Sequence, residues 1–118
     1  MRILITDGMA QHVIDSLCNA GCEVVEHHCE ADELAEALQA FDVVVVSTAT
    51  EIRGIHIDEA LEGELKLIIC TETDLSNIDA GYAENLGIAV RSALDTELVP
   101  LIYAFFQIDQ TKGDSICQ

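Results

Sequence analysis

Four short stretches hold the polar side chains from which a ligand site would be built: Thr6-Asp7-Gly8-Met9, Ser47-Thr48-Ala49-Thr50, Cys70-Thr71-Glu72-Thr73-Asp74 and Ser92-Ala93. Asp7, Glu72 and Asp74 supply hard oxygen atoms of the kind a divalent cation takes, although carboxylates scattered in this way are ordinarily just solvated. His27-His28-Cys29, with Cys18 and Cys22 upstream, contains the softer atoms that zinc or copper prefers. The spacing works against such a metal site. Cys22 opens an extended run that His27 closes, which separates them by roughly 16 Å at about 3.3 Å per residue. A surface His-Cys patch is therefore expected, and no metal.

Each polar stretch follows an apolar run, and the runs show what must hold it. Ile3-Leu4-Ile5, Val24-Val25, Val43-Val44-Val45-Val46, Leu67-Ile68-Ile69 and Ile88-Ala89-Val90 are separated by segments with helical spacing, which predicts five βα units. The run at Val43 does not alternate, as expected of a strand covered on both faces. Helices are predicted around Val13 to Cys18 with Gly21 as the stop, over Ala31 to Leu38, about Ile57 to Leu61, about Ala80 to Leu86 with Gly87 as the stop, and about Thr96 to Ile108. Pro100 is assigned to the first turn of the last helix, where its missing N–H costs least.

The expected architecture is α/β, a flavodoxin-like doubly wound domain over residues 1–109 with a five-stranded parallel sheet in the order 2-1-3-4-5, followed by a polar tail at 110–118. Ligands of such sheets bind at the carboxyl ends of the strands, beside the switch in strand order. The polar stretches fall there. Phosphorylation receiver domains share this fold, but they need an acidic pair, a phospho-accepting Asp and a Lys. This chain offers Asp7 alone, Ser47 and Ser92 in those places.

Among 118 residues there are 22 acids and 5 bases, a net charge of −17. That opposes nucleic acid, whose binding depends on Lys and Arg displacing counterions. It also suits a salt-adapted or highly soluble surface. Half of the residues are hydrophobic, yet no apolar stretch approaches the roughly 20 residues that span a bilayer. The opening Met1-Arg2-Ile3-Leu4-Ile5-Thr6-Asp7-Gly8 lacks the apolar core of a secretory signal, so a cytoplasmic location and no membrane partner are expected. Five cysteines, an odd number, point to reduced thiols, with Cys70 buried and Cys29 and Cys117 exposed.

Read in order, the motifs resemble a known family. Ile3-Leu4-Ile5-Thr6-Asp7-Gly8-Met9, Ala20-Gly21-Cys22-Glu23-Val24-Val25, Phe41-Asp42-Val43-Val44-Val45-Val46 with Ala49-Thr50, and Leu65-Lys66-Leu67-Ile68-Ile69 come first. Asn77-Ile78-Asp79, Tyr82-Ala83-Glu84-Asn85-Leu86-Gly87-Ile88 and Thr96-Glu97-Leu98-Val99 follow. The series is similar to the substrate-binding domain of D-isomer-specific 2-hydroxyacid dehydrogenases, nearest to the D-3-phosphoglycerate dehydrogenases. It covers about Met1 to Val99.

The departures bear on function. Where the family reads Arg-Ala-Gly-Val-Gly-Val-Asp, this chain has Cys70-Thr71-Glu72-Thr73-Asp74-Leu75-Ser76, so two glycines become Glu72 and Asp74. A like charge about 4 Å from an anion costs roughly 4 kcal/mol at an effective dielectric of about 20. The Arg that typically opens the third-strand loop is Ser47, and the segment after strand five is shortened to Arg91-Ser92-Ala93-Leu94-Asp95. No Gly-x-Gly-x-x-Gly occurs, so no dinucleotide cofactor is expected, and the family's catalytic Arg, Glu and His have no counterparts.

The resemblance with its departures implies a non-catalytic isolated domain, engineered or naturally degenerate, keeping a vestigial substrate crevice at Asp7, Gly8, Thr48, Ala49, Thr50, Thr71, Glu72 and Asp74. The alternative is a small-molecule or cation-binding module, or a fragment of an NAD-dependent dehydrogenase. The last helix, 96–108, is apolar around most of its circumference. It is expected to fold back on the sheet and to offer its remaining face to a second copy.

Overall fold

All four residues of Val43-Val44-Val45-Val46 are buried, because the strand they form lies mid-sheet between two helical layers. The structure is a computed structural model that describes residues 1–72 and 75–106, apart from the side chains of residues 31, 32 and 95. Its strands are β1 (Arg2–Ile5), β2 (Glu23–Glu26), β3 (Val43–Val46), β4 (Leu67–Cys70) and β5 (Ala89–Ser92). They alternate with α1 (Gln11–Asn19), α2 (Ala31–Leu38), α3 (Gly54–Ala60), α4 (Ala80–Asn85) and α5 (Asp95–Phe106). Every pairing is parallel and the order is β2-β1-β3-β4-β5, the flavodoxin-like arrangement expected.

The alternation of side chains along each strand divides the core in two. Val44, Val46 and Ile68 face α2, α3 and α4, meeting Leu34, Leu38, Ile57 and Ala83. Val43, Val45 and Ile69 face α1 and α5, meeting Val13, Leu17, Leu98 and Ile102. Burying each large aliphatic side chain contributes about 1.5–3 kcal/mol, so this double burial carries the stability of the central strands.

The glycine stop of α1 works as the sequence indicates. Gly21 takes φ +93, its N–H bonds to Cys18 O at 3.0 Å, and Cys22 N–H bonds to Leu17 O at 3.1 Å. This paired closure ties off the helix and turns Cys22 into the α1–α5 layer.

Four expectations need correction. Cys29 is 4% exposed rather than a surface thiol, because the chain after β2 dips inward and seats the sulfur in the α2–α3–α4 core. Burial, with Glu33 nearby, pushes its thiol pKa up. Helix α3 starts at Gly54, ahead of the expected Ile57, because His56 Nδ1 accepts the Arg53 N–H at 2.9 Å and closes the first turn. Ile88 belongs to the turn, its N–H bonded to Ala83 O at 3.0 Å, so β5 begins at Ala89. Pro100 sits in the interior of α5 and not in its first turn, since the helix already begins at Asp95. It is exposed there, so the helix gives up the bond to the Thr96 carbonyl on its outer side.

Helix α5 does fold back, with Leu98 and Ile102 fully buried against the α1 layer. Pro100, Ala104 and Phe105 remain exposed. Residues 107–118, with the expected end of the helix, the polar tail and Cys117, lie outside the described residues. No helix among the described residues is long and apolar enough to cross a membrane.

Candidate functional site

The site is set by the register of the two strands at the switch point. β1 pairs with β3 so that Ile5 stands opposite Val45, and Thr6 N–H bonds to Val45 O at 3.1 Å. Two residues beyond that pair, Asp7 emerges beside Ser47. Gly8 follows at φ +83, a conformation that glycine adopts without steric cost, and the chain reverses there toward α1. Asp7 is thereby held at the mouth of the β1–β3 crevice.

Its carboxylate is fully engaged. Oδ2 accepts the Ser47 N–H at 2.8 Å, the Ser47 hydroxyl at 3.0 Å and the Thr6 hydroxyl at 3.1 Å. The Thr50 hydroxyl stands 2.9 Å from Oδ1 and 2.8 Å from Oδ2. The Asp7 side chain is 12% exposed and Thr50 is 4% exposed. Burial pushes the carboxyl pKa upward, but the Ser47 N–H and the hydroxyls of Thr50, Ser47 and Thr6 together outweigh it, and the pKa lies below its ordinary value. Charge-assisted bonds of this kind contribute about 1.5–3 kcal/mol each.

A second layer holds the β3–α3 loop in place. Buried Asn77 donates from Nδ2 to Ser47 O at 3.0 Å and to Thr50 O at 2.7 Å, while its Oδ1 has no partner. Its segment is tied to the loop by Ile52 N–H to Asn77 O and Asp79 N–H to Ile52 O, both 2.9 Å. Asp79 then accepts the Gly54 N–H at 2.8 Å and an Arg53 Nη1–H at 3.2 Å.

On the β4 side, the bonds seen at the described residues Thr71 and Glu72 run to backbone oxygens. Thr71 N–H reaches Val46 O at 2.9 Å, and Ser92 Oγ donates to Glu72 O at 2.9 Å. The Glu72 side chain is exposed.

The predicted crevice residues therefore divide. Asp7 and Thr50 are brought into contact, Gly8 shapes the turn beside them, and the Ala49 N–H bonds to Ser47 Oγ at 3.1 Å. Thr48 is exposed and makes no part of the cluster, while Thr71 and Glu72 lie on the β4 side. Asp74 lies outside the described residues. The cation cluster considered for Asp7, Glu72 and Asp74 includes a residue outside the described ones; among the described residues no grouping of three metal-binding side chains occurs. Asp7 is committed to the Ser47 and Thr50 donors instead.

Sequence reasoning placed Thr6 and Ser47 in the crevice loops without counting them among the binding residues, and gave Asn77 no part in the site. The signal for Ser47 was its place opposite Asp7 in a parallel register, and for Asn77 the motif Asn77-Ile78-Asp79.

Chemically, the arrangement is a closed anion cradle in which a protein carboxylate takes the donors. With its pKa depressed, Asp7 is a poor general base near neutrality. These residues do not fit a dinucleotide either. The one positive-φ glycine at a carboxyl-end loop, Gly8, has nothing within 4 Å of where a Cβ would stand, so no backbone approaches it closely. It is followed by no further glycine before α1.

The profile of the family described as D-isomer specific 2-hydroxyacid dehydrogenase, catalytic domain, matches residues 3–97. The chain belongs to this family. It is 32% identical over 90 residues to a hydroxypyruvate reductase of Thermotoga maritima, covering 75% of this chain and 29% of that protein. The chain thus spans less than a third of that relative.

Among solved structures, a protein from Pyrococcus horikoshii is 25% identical with a TM-score of 0.72, over 78% of this chain and 27% of the other. An NAD+-bound 3-phosphoglycerate dehydrogenase from Entamoeba histolytica shares the fold, with 22% identity and a TM-score of 0.65 over 78% of this chain and 32% of its own.

Proposed function

We propose that residues 1–109 form a non-catalytic version of the substrate-binding domain of this family, redesigned or degenerate in origin, in which Asp7 stands where a substrate anion would be held. The single observation behind this reading is the saturation of the Ser47 N–H and the Thr50 hydroxyl by the Asp7 carboxylate. An incoming 2-hydroxyacid would have to displace that carboxylate and then sit beside its charge. The acids at Glu72 and Asp74, in place of the family's glycines, act in the same direction. The finer kinship, to the D-3-phosphoglycerate dehydrogenases, rests on the ordered motifs from Ile3 to Val99. Hydride transfer would need a cofactor site and an acid/base pair supplied by chain other than these residues.

A thermal-shift titration with glycolate, 3-phosphoglycerate and NAD tests the reading. A ligand at 100 times its dissociation constant adds about 2.7 kcal/mol, a shift easily read in a domain of this size. No stabilisation of the wild type is expected, and glycolate should stabilise only Asp7→Ala, in which the donors are released. Stabilisation of the wild type by NAD or 3-phosphoglycerate overturns the proposal.

A further inference from the structure

The sheet has two outer strands, and the sequence guards them differently. The edge of a strand offers free N–H and C=O groups to any other strand, and charged side chains are a common defence. β2 carries its own acids, Glu23 and Glu26, both exposed, so a second copy laid against it sets like charge against like. β5 lacks that defence. The run from Leu86 to Leu94 holds no acid, although 22 of the 118 residues are acidic. Among the described residues no strand lies beyond β5.

Val90 lies within this outer strand. Ala89 N–H bonds to Lys66 O and Ala93 N–H to Cys70 O, both at 3.0 Å and both toward β4. Backbone groups alternate in direction along a strand, so the N–H and C=O of Val90 turn outward, while its side chain is buried in the α2–α3–α4 core. Both groups are taken by side chains. Glu84 Oε2 accepts the Val90 N–H at 3.2 Å, and Arg91 Nη1 donates to Val90 O at 2.9 Å. The same Arg91 nitrogen donates to Glu84 Oε2 at 3.1 Å, which joins the two side chains into a clip. A carboxylate takes the donor and a guanidinium serves the acceptor, as the C=O and N–H of a neighbouring strand would.

The clip is lightly held. Its side chains are 49% and 46% exposed, and ion pairs so exposed are weak. A hollow of about 270 Å³ lined by Glu84, Gly87, Ile88, Ala89 and Arg91 lies beside it and gives the two side chains room to swing aside.

We propose that the Glu84–Arg91 clip holds shut an interface for a second copy of this chain, in which two β5 strands pair antiparallel about a twofold axis at Val90. Each Val90 N–H then bonds to the C=O of the other Val90, the reciprocal pair of an antiparallel ladder, and the same edge serves both copies. Between copies that each carry a net charge of −17, the acid-free edge at β5 is favoured over β2. The proposal uses none of the residues of the Asp7 cradle, so either can fail without the other.

The test is Glu84→Ala combined with Arg91→Ala, which removes one charge of each sign and keeps the net charge at −17. In sedimentation equilibrium at about 0.15 M salt, the double variant should dimerise at least about tenfold more tightly than the wild type. Each copy is then relieved of a clip whose opening costs about threefold. Amide exchange followed by NMR should show the Val90 N–H of the variant slowing as its concentration rises, with the amides of α5 unchanged. If the double variant does not fold, Arg91→Ala alone decides: freeing the Val90 carbonyl should tighten dimerisation by about threefold, and no change overturns the proposal. A folded double variant that associates no more tightly than the wild type up to about 1 mM overturns it as well. So does a dimer that slows exchange on α5 and leaves the Val90 N–H as fast as in the monomer.

Discussion

The two sides of the crevice are built on different terms. On the β1–β3 side, Asp7, Ser47, Thr50, Thr6 and Asn77 form one hydrogen-bonded cluster with a buried brace. On the β4 side, the Thr71 N–H bonds to Val46 O and the Ser92 hydroxyl donates to Glu72 O, and the Glu72 side chain is exposed. Both sides carry acids, yet of Asp7 and Glu72 among the described residues only Asp7 gathers hydrogen bonds on its carboxylate. What separates them is whether donors converge on the carboxylate, which the register of β1 against β3 decides for Asp7.

If that contrast is real, Asp7→Ala carries the largest effect. It takes the acceptor from the Ser47 N–H and from the hydroxyls of Ser47, Thr50 and Thr6 in a nearly buried place, for a loss of about 2–3 kcal/mol and a Tm lower by about 10 °C in a thermal melt. A change within error would erase the distinction between the two sides.

The acid dependence sharpens the same point. Because the Asp7 pKa is lowered on folding, its contribution is fully present above the unfolded value of 3.8 and is lost as pH falls through the folded value. Denaturant melts at descending pH should therefore show wild type and Asp7→Asn converging below pH 3.8, and a constant gap would contradict the assignment.

Asn77→Ala comes next, at about 1–2 kcal/mol, because two carbonyls of the β3–α3 loop lose their donor while the unpaired Oδ1 is also removed. On the β4 side, Glu72→Gly and Ser92→Ala should each change stability by less than about 0.5 kcal/mol. A larger loss for either in the same melts would mean that the β4 side is also wired.

Much of the fold was legible because parallel strands buried on both faces write themselves as apolar runs, as at Val43–Val46 and Leu67–Cys70. Ends were harder to read. His56 closes the first turn of α3 through a side-chain nitrogen, a contact without periodicity, so the helix starts before its apolar spacing does. Cys29 misled because its neighbours His27, His28 and Glu30 are exposed while one inward turn buries the sulfur. At the site, Asp7 and Thr50 were picked out by their position after strands. That Asp7 is consumed by its own loop neighbours depends on strand register, which a list of residue types does not contain.

The bonds from Asp7 to Ser47 and Thr50 join residues 40 and 43 apart in sequence. All of α1, β2 and α2 lies inside the loop they close. Closing a loop of that size costs entropy before any contact rewards it, and long-range pairings of this kind slow folding. The carboxylate sits just past the carboxyl end of the β1–β3 ladder, beyond the Ile5–Val45 pair. A contact made late would weigh mainly on the rate at which the native state comes apart, so substitutions at Asp7 are expected to speed unfolding more than they slow folding.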